Sequence, residues 1–157
     1  MTEYGLQLRE KQRIRYLYGL GERQLRRIFA EAKKQKGVAG TNALMLLESR
    51  LDNLVYRMNF SMTRRGARQL VNHGHVLVDG KPVDIPSYRV SPGQTVEIRA
   101  RSKQLAVIND ALNSTAFLLP HLSVDKEARK GVYERLPERS ELNGELNEQL
   151  VVEFYAR

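Results

Sequence analysis

Between positions 64 and 72 the chain reads Arg-Arg-Gly-Ala-Arg-Gln-Leu-Val-Asn, with three arginines in five residues and no carboxylate in the segment. At 100° per residue, Ala67, Leu70 and Val71 fall on one arc of a helix, and Arg64, Arg65, Arg68, Gln69 and Asn72 on the opposite arc. An ordinary solvated helix face intersperses glutamates that pair with its basic residues, and this face has none. Guanidinium forks match phosphate oxygens in shape and charge, and on a rigid element little entropy is lost when they bind. The chemistry open to such a face is neutralisation of a polyphosphate, with Gln69 and Asn72 free to hydrogen-bond sugars or bases.

A second basic stretch lies at the N-terminus. From Tyr4 to Tyr18 three tyrosines alternate with Arg9, Lys11, Arg13 and Arg15, and rings and guanidinium planes are surfaces on which unstacked RNA bases lie. Any single tyrosine here is more often a core residue; the basic set is not. Gln7, Lys11 and Arg15 share one stripe at spacing four, and Arg23, Arg26 and Arg27 follow on the next helix. Arg50, Asn53 and Arg57 share the flank of a third helix, and Lys81 sits in a hairpin. With Tyr4 and His73, and with the residues of the 64–72 face, these make the candidate RNA-contact set.

Nothing assembles an active site. The chain has no cysteine and only three histidines. His73 and His75 straddle Gly74 at a helix-to-strand turn, which reads as a loop pair touching phosphate. There is no HExxH, no GxxxxGK[ST] and no dinucleotide fingerprint, so catalytic, metal and cofactor roles are all left empty. Gly19-Leu20-Gly21 joins two helices with no strand before it. No apolar run nears the roughly 20 residues of a membrane span, and Met1 to Glu10 lacks the pattern of a signal peptide. A cytoplasmic chain with no membrane role is expected.

Charge is unevenly placed. The net charge is +8 over 157 residues, but residues 1–36 hold ten basic against four acidic, 64–103 eight against three, and 104–157 six against nine. Such a balance favours polyanionic partners. The acidic end is expected to face protein neighbours in place of RNA.

The elements that position these residues follow from period and punctuation. Helices are predicted over Glu3–Tyr18, Glu22–Lys36 (Leu25, Ile28 and Phe29 inward) and Asn42–Phe60. In the third, Leu44, Leu47, Leu51, Leu54, Val55 and Met58 form one stripe behind a Thr41 cap. Thr63 caps the basic helix Thr63–His73. Val76–Val78, the turn Asp79-Gly80 and Lys81–Val83 make a hairpin, followed by extended Tyr88–Val90 and a strand Thr95–Arg99. Ser102 caps a helix Lys103–Asn113. A second hairpin (122–124, 130–135) and two helical pieces (137–142, 145–155) close the chain. The expected fold is α+β: a mostly helical domain formed by both chain ends, 1–49 and 114–157, with an inserted α/β module over 50–113. The module is two helices packed on a small, mainly antiparallel sheet.

Three segments carry a resemblance. Tyr4-Gly5-Leu6-Gln7-Leu8-Arg9-Glu10-Lys11-Gln12, Leu47-Glu48-Ser49-Arg50-Leu51-Asp52-Asn53-Leu54-Val55-Tyr56-Arg57 and Ala67-Arg68-Gln69-Leu70-Val71-Asn72-His73-Gly74-His75 resemble, in order, the bacterial small-subunit ribosomal protein S-four family. Pro137-Glu138-Arg139-Ser140 and the Glu-rich end fit it too, so the likeness covers essentially the whole chain. The resemblance implies a structural role in the small ribosomal subunit and an RNA-binding module of the S-four type over 50–113. It implies early binding of small-subunit ribosomal RNA at a multi-helix junction of the body, nucleation of assembly and an effect on decoding accuracy. Its implied partners are the neighbouring small-subunit protein S-five and, in some bacteria, the protein's own mRNA; off the ribosome a monomer is expected. The same module occurs in RNA-modifying enzymes, so an RNA-modifying or quality-control factor is the alternative. Family members carry a further segment before Tyr4-Gly5, sometimes with a cysteine zinc site, and Met1 is therefore expected to begin a truncated chain.

Overall fold

The computed structural model describes residues 1–114 and 116–157. In chain order the helices and strands are α1 (Glu3–Tyr18), α2 (Glu22–Lys34), α3 (Ala39–Glu48), α4 (Leu51–Arg57), α5 (Arg64–Asn72), β1 (Val76–Val78), β2 (Lys81–Pro82), β3 (Thr95–Ile98), α6 (Ala106–Leu112), β4 (Leu122–Asp125), β5 (Lys130–Tyr133) and α7 (Glu148–Tyr155). The chain divides into two compact units, residues 1–48 with 138–157, and residues 49–137.

The first unit is helical. Ile14, Leu25, Ala32, Leu44, Leu47 and Val151 are fully buried, each supplied by the inward face of α1, α2, α3 or α7. Around this core runs a seam of polar contacts between distant parts of the sequence. Lys11 Nζ meets Glu22 Oε2 at 2.7 Å, and the Tyr155 hydroxyl donates to Glu22 Oε1 at 3.0 Å. Asn147 N donates to Glu10 Oε2 at 2.7 Å, and Arg157 Nε donates to Gln7 Oε1 at 2.7 Å. Arg139 forks onto the Glu148 carboxylate at 2.6 and 3.0 Å.

The second unit holds one five-stranded sheet in the order β2-β1-β3-β5-β4, every pair antiparallel. Asp79 and Gly80 make the β1–β2 turn at φ 49° and 79°, the left-handed pair that a two-residue hairpin requires. Register places Val76 beside Ile98 and Val78 beside Val96. These four, with Leu122 and Tyr133, are buried in one core with Leu51, Leu54, Val55 and Met58 of the α4 region and Ala67, Leu70 and Val71 of α5. Burying each such aliphatic side chain contributes about 1.5–3 kcal/mol, so the small sheet is held chiefly by what covers it.

Several expectations change. The third helix is not continuous: α3 ends at Glu48, Ser49 turns, Arg50 is extended, and α4 begins at Leu51. Arg50 bridges Arg89, with Leu51 N donating to Tyr88 O at 2.8 Å and Val90 N to Ser49 O at 2.9 Å. The apolar stripe hides this break because Leu44 and Leu47 serve the first unit while Leu51, Leu54 and Val55 continue the same period into the second core. Thr41 lies within α3 and caps nothing at its start. In place of the helix Lys103–Asn113, a 3-10 turn over Ala100–Ser102 precedes the shorter α6. Of the segment assigned to the chain ends, residues 116–137 instead join the second unit, because β5 pairs with β3 through Val96 opposite Gly131. The closing pieces contract to a 3-10 turn, Arg139–Glu141, and to α7.

Burial pushes the Glu22 carboxyl up, but hydrogen bonds from Lys11 and Tyr155 outweigh it and hold the group below its ordinary value of 4.5. A carboxyl held low stabilises the fold above its ordinary value and loses that contribution as pH falls through the folded-state value. Glu22→Gln is therefore expected to lower stability at neutral pH and to flatten its decline on acidification. Urea unfolding at a series of pH values checks this; a variant whose acid limb runs parallel to that of the parent chain would show Glu22 to be uncoupled.

Candidate nucleic-acid interface

The basic helix α5 is built from its start. The Thr63 hydroxyl accepts from Gly66 N at 2.9 Å, and the Ser61 hydroxyl donates to Thr63 O at 2.9 Å. A Cβ at position 66 would lie 2.5 Å from Ser61 Oγ and 3.0 Å from Thr63 Oγ1, so only glycine leaves room for this cap. Ala67, Leu70 and Val71 are buried; Arg65, Gln69, Asn72 and His73 are exposed, while Arg64 and Arg68 are half-buried.

Arg64 is held from below. Its guanidinium lies over the Tyr56 ring, 4.5 Å from the centroid, and donates to Asn53 Oδ1. Asn53 N donates to Asp52 Oδ1 at 2.7 Å, and Arg50 grips the Asp52 carboxylate with Nε at 3.1 Å and Nη2 at 3.0 Å. Arg50, Asp52 and Asn53 are only 6, 7 and 2% exposed. Arg50 and Asn53 are therefore interior residues that position Arg64, and the expectation that they touch RNA directly is corrected. Arg57, at the end of α4, is half-buried.

At the far end of α5, Arg99 Nη1 donates to Gly74 O at 2.7 Å and fixes the turn into β1. His75 Nδ1 lies 2.7 Å from the Ser102 hydroxyl, so Ser102 serves the turn in place of a helix. Burial, and then the charges of His73, Arg99 and Arg101, push His75 below its ordinary value of 6.5. Arg99 and Arg101 thus enlarge the basic region, and sequence reasoning left them out. The available signal was two arginines flanking one alanine directly after a strand. Lys81 stands exposed on β2, in the hairpin.

In the first unit Arg23, Arg26 and Arg27 are exposed along α2, with only a loose contact of 3.9 Å between Arg26 and Glu22. Arg15 is half-buried, stacked 4.6 Å from the Tyr16 centroid, and donates to Gln12 Oε1 at 2.9 Å. Tyr4 is half exposed, but its ring meets Phe154 at 5.8 Å and carries Arg157 at 4.9 Å. Gln7 and Lys11 are 2 and 7% exposed. Lys11 is spent on Glu22 and on the Phe154 face, 4.9 Å from its centroid. These two residues bind the first unit together and are not contact residues, a second correction. Among the described residues no group of three His, Cys, Asp or Glu is placed to hold a metal ion.

Two family descriptions match the chain: "Ribosomal protein S4/S9 N-terminal domain" over residues 1–48 and "S4 domain" over residues 49–96. Their junction is the Glu48–Ser49 break at which the structure changes unit. Proteins called "Small ribosomal subunit protein uS4" are similar over the full 157 residues. That of Lysinibacillus sphaericus (strain C3-41) is 56% identical, that of Geobacillus sp. (strain WCH70) 59% and that of Geobacillus stearothermophilus 57%, with 100% of this chain and 78% of each relative aligned.

Loss of the α5 cap has a measurable consequence. Thr63→Ala is expected to destabilise the second unit by about 1 kcal/mol and to accelerate amide exchange at Gly66. Denaturant unfolding with exchange measured by NMR reads both; an unchanged Gly66 exchange rate would mean that α5 does not rely on this hydroxyl.

Proposed function

The chain belongs to the uS4 family of small ribosomal subunit proteins, and from that premise we propose that it holds folded small-subunit ribosomal RNA as a structural part of the ribosome. The single observation that carries the reading is the α5 face. Three guanidinium groups project from one short helix with no carboxylate in the segment, and one of them is fixed in advance by Asn53 and Tyr56. Pre-fixing a guanidinium reduces the rotamer entropy lost on contact, which for arginine amounts to about 1.5–2 kcal/mol.

The exposed arginines of α2 give the first unit a basic face of its own. Binding through such faces is mainly to phosphate and shape, which suits a protein that fastens to one RNA fold and stays there. On this reading Arg64, Arg65, Arg68, Gln69, Asn72, His73 and Lys81 contact RNA from the second unit, with Arg57 beside them. Arg23, Arg26 and Arg27 do so from the first, with Arg15 and Tyr4 at its margin. The finer roles belong to the same proposal: early binding that nucleates assembly of the body, an influence on decoding accuracy, contact with the neighbouring protein S-five, and binding of its own mRNA. The protein works in the bacterial cytoplasm as part of the ribosome and is a monomer when free of it. No helix among the described residues is long and apolar enough to cross a membrane.

Filter binding of small-subunit RNA over a salt series tests the proposal. Affinity is expected to fall steeply with salt. Arg64→Ala/Arg65→Ala/Arg68→Ala should reduce it by roughly 100-fold and make the slope of log K against log salt shallower by about 2–3 units. If the triple variant binds with the same affinity and slope, the α5 face is not the site.

A further inference from the structure

Beside the arginine face, between α5 and the start of α6, the second unit has a notch of about 250 Å³. Gln69, Leu70 and His73 form its α5 wall, His75 lies at the entry to β1, and Leu105 and Val107 form the opposite wall. Gln69 and His73 are four residues apart and so project from the same side of the helix. Leu105 and Val107 are 36 and 50% exposed, two branched apolar side chains left in water on one rim. A single exposed leucine is unremarkable; an apolar pair facing an imidazole and an amide across a cleft is a shaped surface.

Size and charge narrow what fits. The notch is smaller than the roughly 300–1,000 Å³ of clefts that take drug-sized ligands, so it suits one planar ring system, not a folded peptide. Among the described residues no carboxylate lines it. His75 at its edge feels the positive charges of His73, Arg99 and Arg101, so the surroundings favour a ligand attached to phosphate. RNA proteins take splayed-out bases on imidazole or guanidinium planes and read their edges with amide groups. The exposed His73 ring and the Gln69 amide supply both, and the Leu105 and Val107 side chains supply an apolar wall.

We propose that this notch receives one unstacked nucleobase of the RNA whose backbone the α5 face holds. The inference deepens the RNA-binding reading above and rests on it. On this account the arginines fix the register of the backbone and the notch selects a nucleotide that stands outside a helix, which converts shape binding into recognition of one position.

The test uses the full chain bound to small-subunit ribosomal RNA, with Val107→Glu to fill and charge the notch and Gln69→Ala to remove the edge contact. Both positions are exposed, so folding is not at stake. Base-directed chemical probing of the complex should show an unpaired nucleotide protected by the parent chain and reactive again with Val107→Glu. Hydroxyl-radical protection of the backbone should stay in place with both variants. Gln69→Ala should weaken binding several-fold and Val107→Glu about tenfold, with an unchanged salt slope for Gln69→Ala because no phosphate contact is removed. Identical base reactivity and affinity for the parent chain and both variants would overturn the notch while leaving the α5 phosphate contacts standing. Failure of the parent chain to bind RNA at all would instead remove the reading on which the notch depends.

Discussion

A guanidinium and a carboxylate taken out of water together must meet in matched geometry, because either one left alone there costs about 3–5 kcal/mol. Arg50 and Asp52 meet that condition with two hydrogen bonds of 3.1 and 3.0 Å, one at each carboxylate oxygen. Their pairing coincides with the place where the backbone leaves helix geometry to bridge Arg89. Asp52 also accepts from the amide of Asn53, and Asn53 in turn accepts from Arg64. One continuous line of charge and hydrogen bonds therefore runs from the helix break to the first cation of the basic face. The guanidinium at the head of α5 is thus tied, through Asn53, to an ion pair that is almost wholly buried.

This line explains what the sequence could and could not disclose. The bounds of α1, the Thr63 cap and the Asp79-Gly80 turn were legible because each is local, written in a cap residue, a glycine or a two-residue turn. So was the outward arc of α5, since a helix with three small or apolar residues on one side has only one way to bury them. The break at Ser49–Arg50 was not legible. Its cause is a backbone bridge to residues almost forty positions away, and the period of the stripe passes through it undisturbed. The place of the second hairpin was hidden for the same reason, since its pairing with β3 is a long-range choice.

The misplaced site residues share one cause. Gln7, Lys11, Arg50 and Asn53 have the side chains that bind RNA, and helical spacing put them beside others that do face outward. Spacing gives an angle about the helix axis, but it does not say how far neighbouring elements wrap around that axis. Where α7 and the C-terminal residue close over α1, Lys11 and Gln7 find Phe154 and Arg157; where the Arg89 segment pairs with Arg50, the arginine turns inward to Asp52. Arg99 and Arg101 were passed over because one closes the predicted strand and the other falls between that strand and the next predicted helix. They join the basic region through the Gly74 turn and the neighbourhood of His75.

The acidic residues near the end of the chain settle the electrostatic division. Much of this stretch is committed to the fold: Glu148 to Arg139, Glu145 to Arg13, and Glu138 and Glu141 to a reciprocal cap. Keeping carboxylates here and off α5 has a cost that can be sized. A Glu–Arg pair four residues apart would stabilise the helix by only about 0.2–0.5 kcal/mol, but it would have to be broken whenever the arginine moved to a phosphate. The Thr63 cap contributes about 1 kcal/mol without occupying a cation, and the buried arc of Ala67, Leu70 and Val71 contributes more. Stability drawn from the cap and the core requires no carboxylate within the helix to balance its arginines. That allocation is the physical reason a nine-residue helix with no carboxylate of its own is stable.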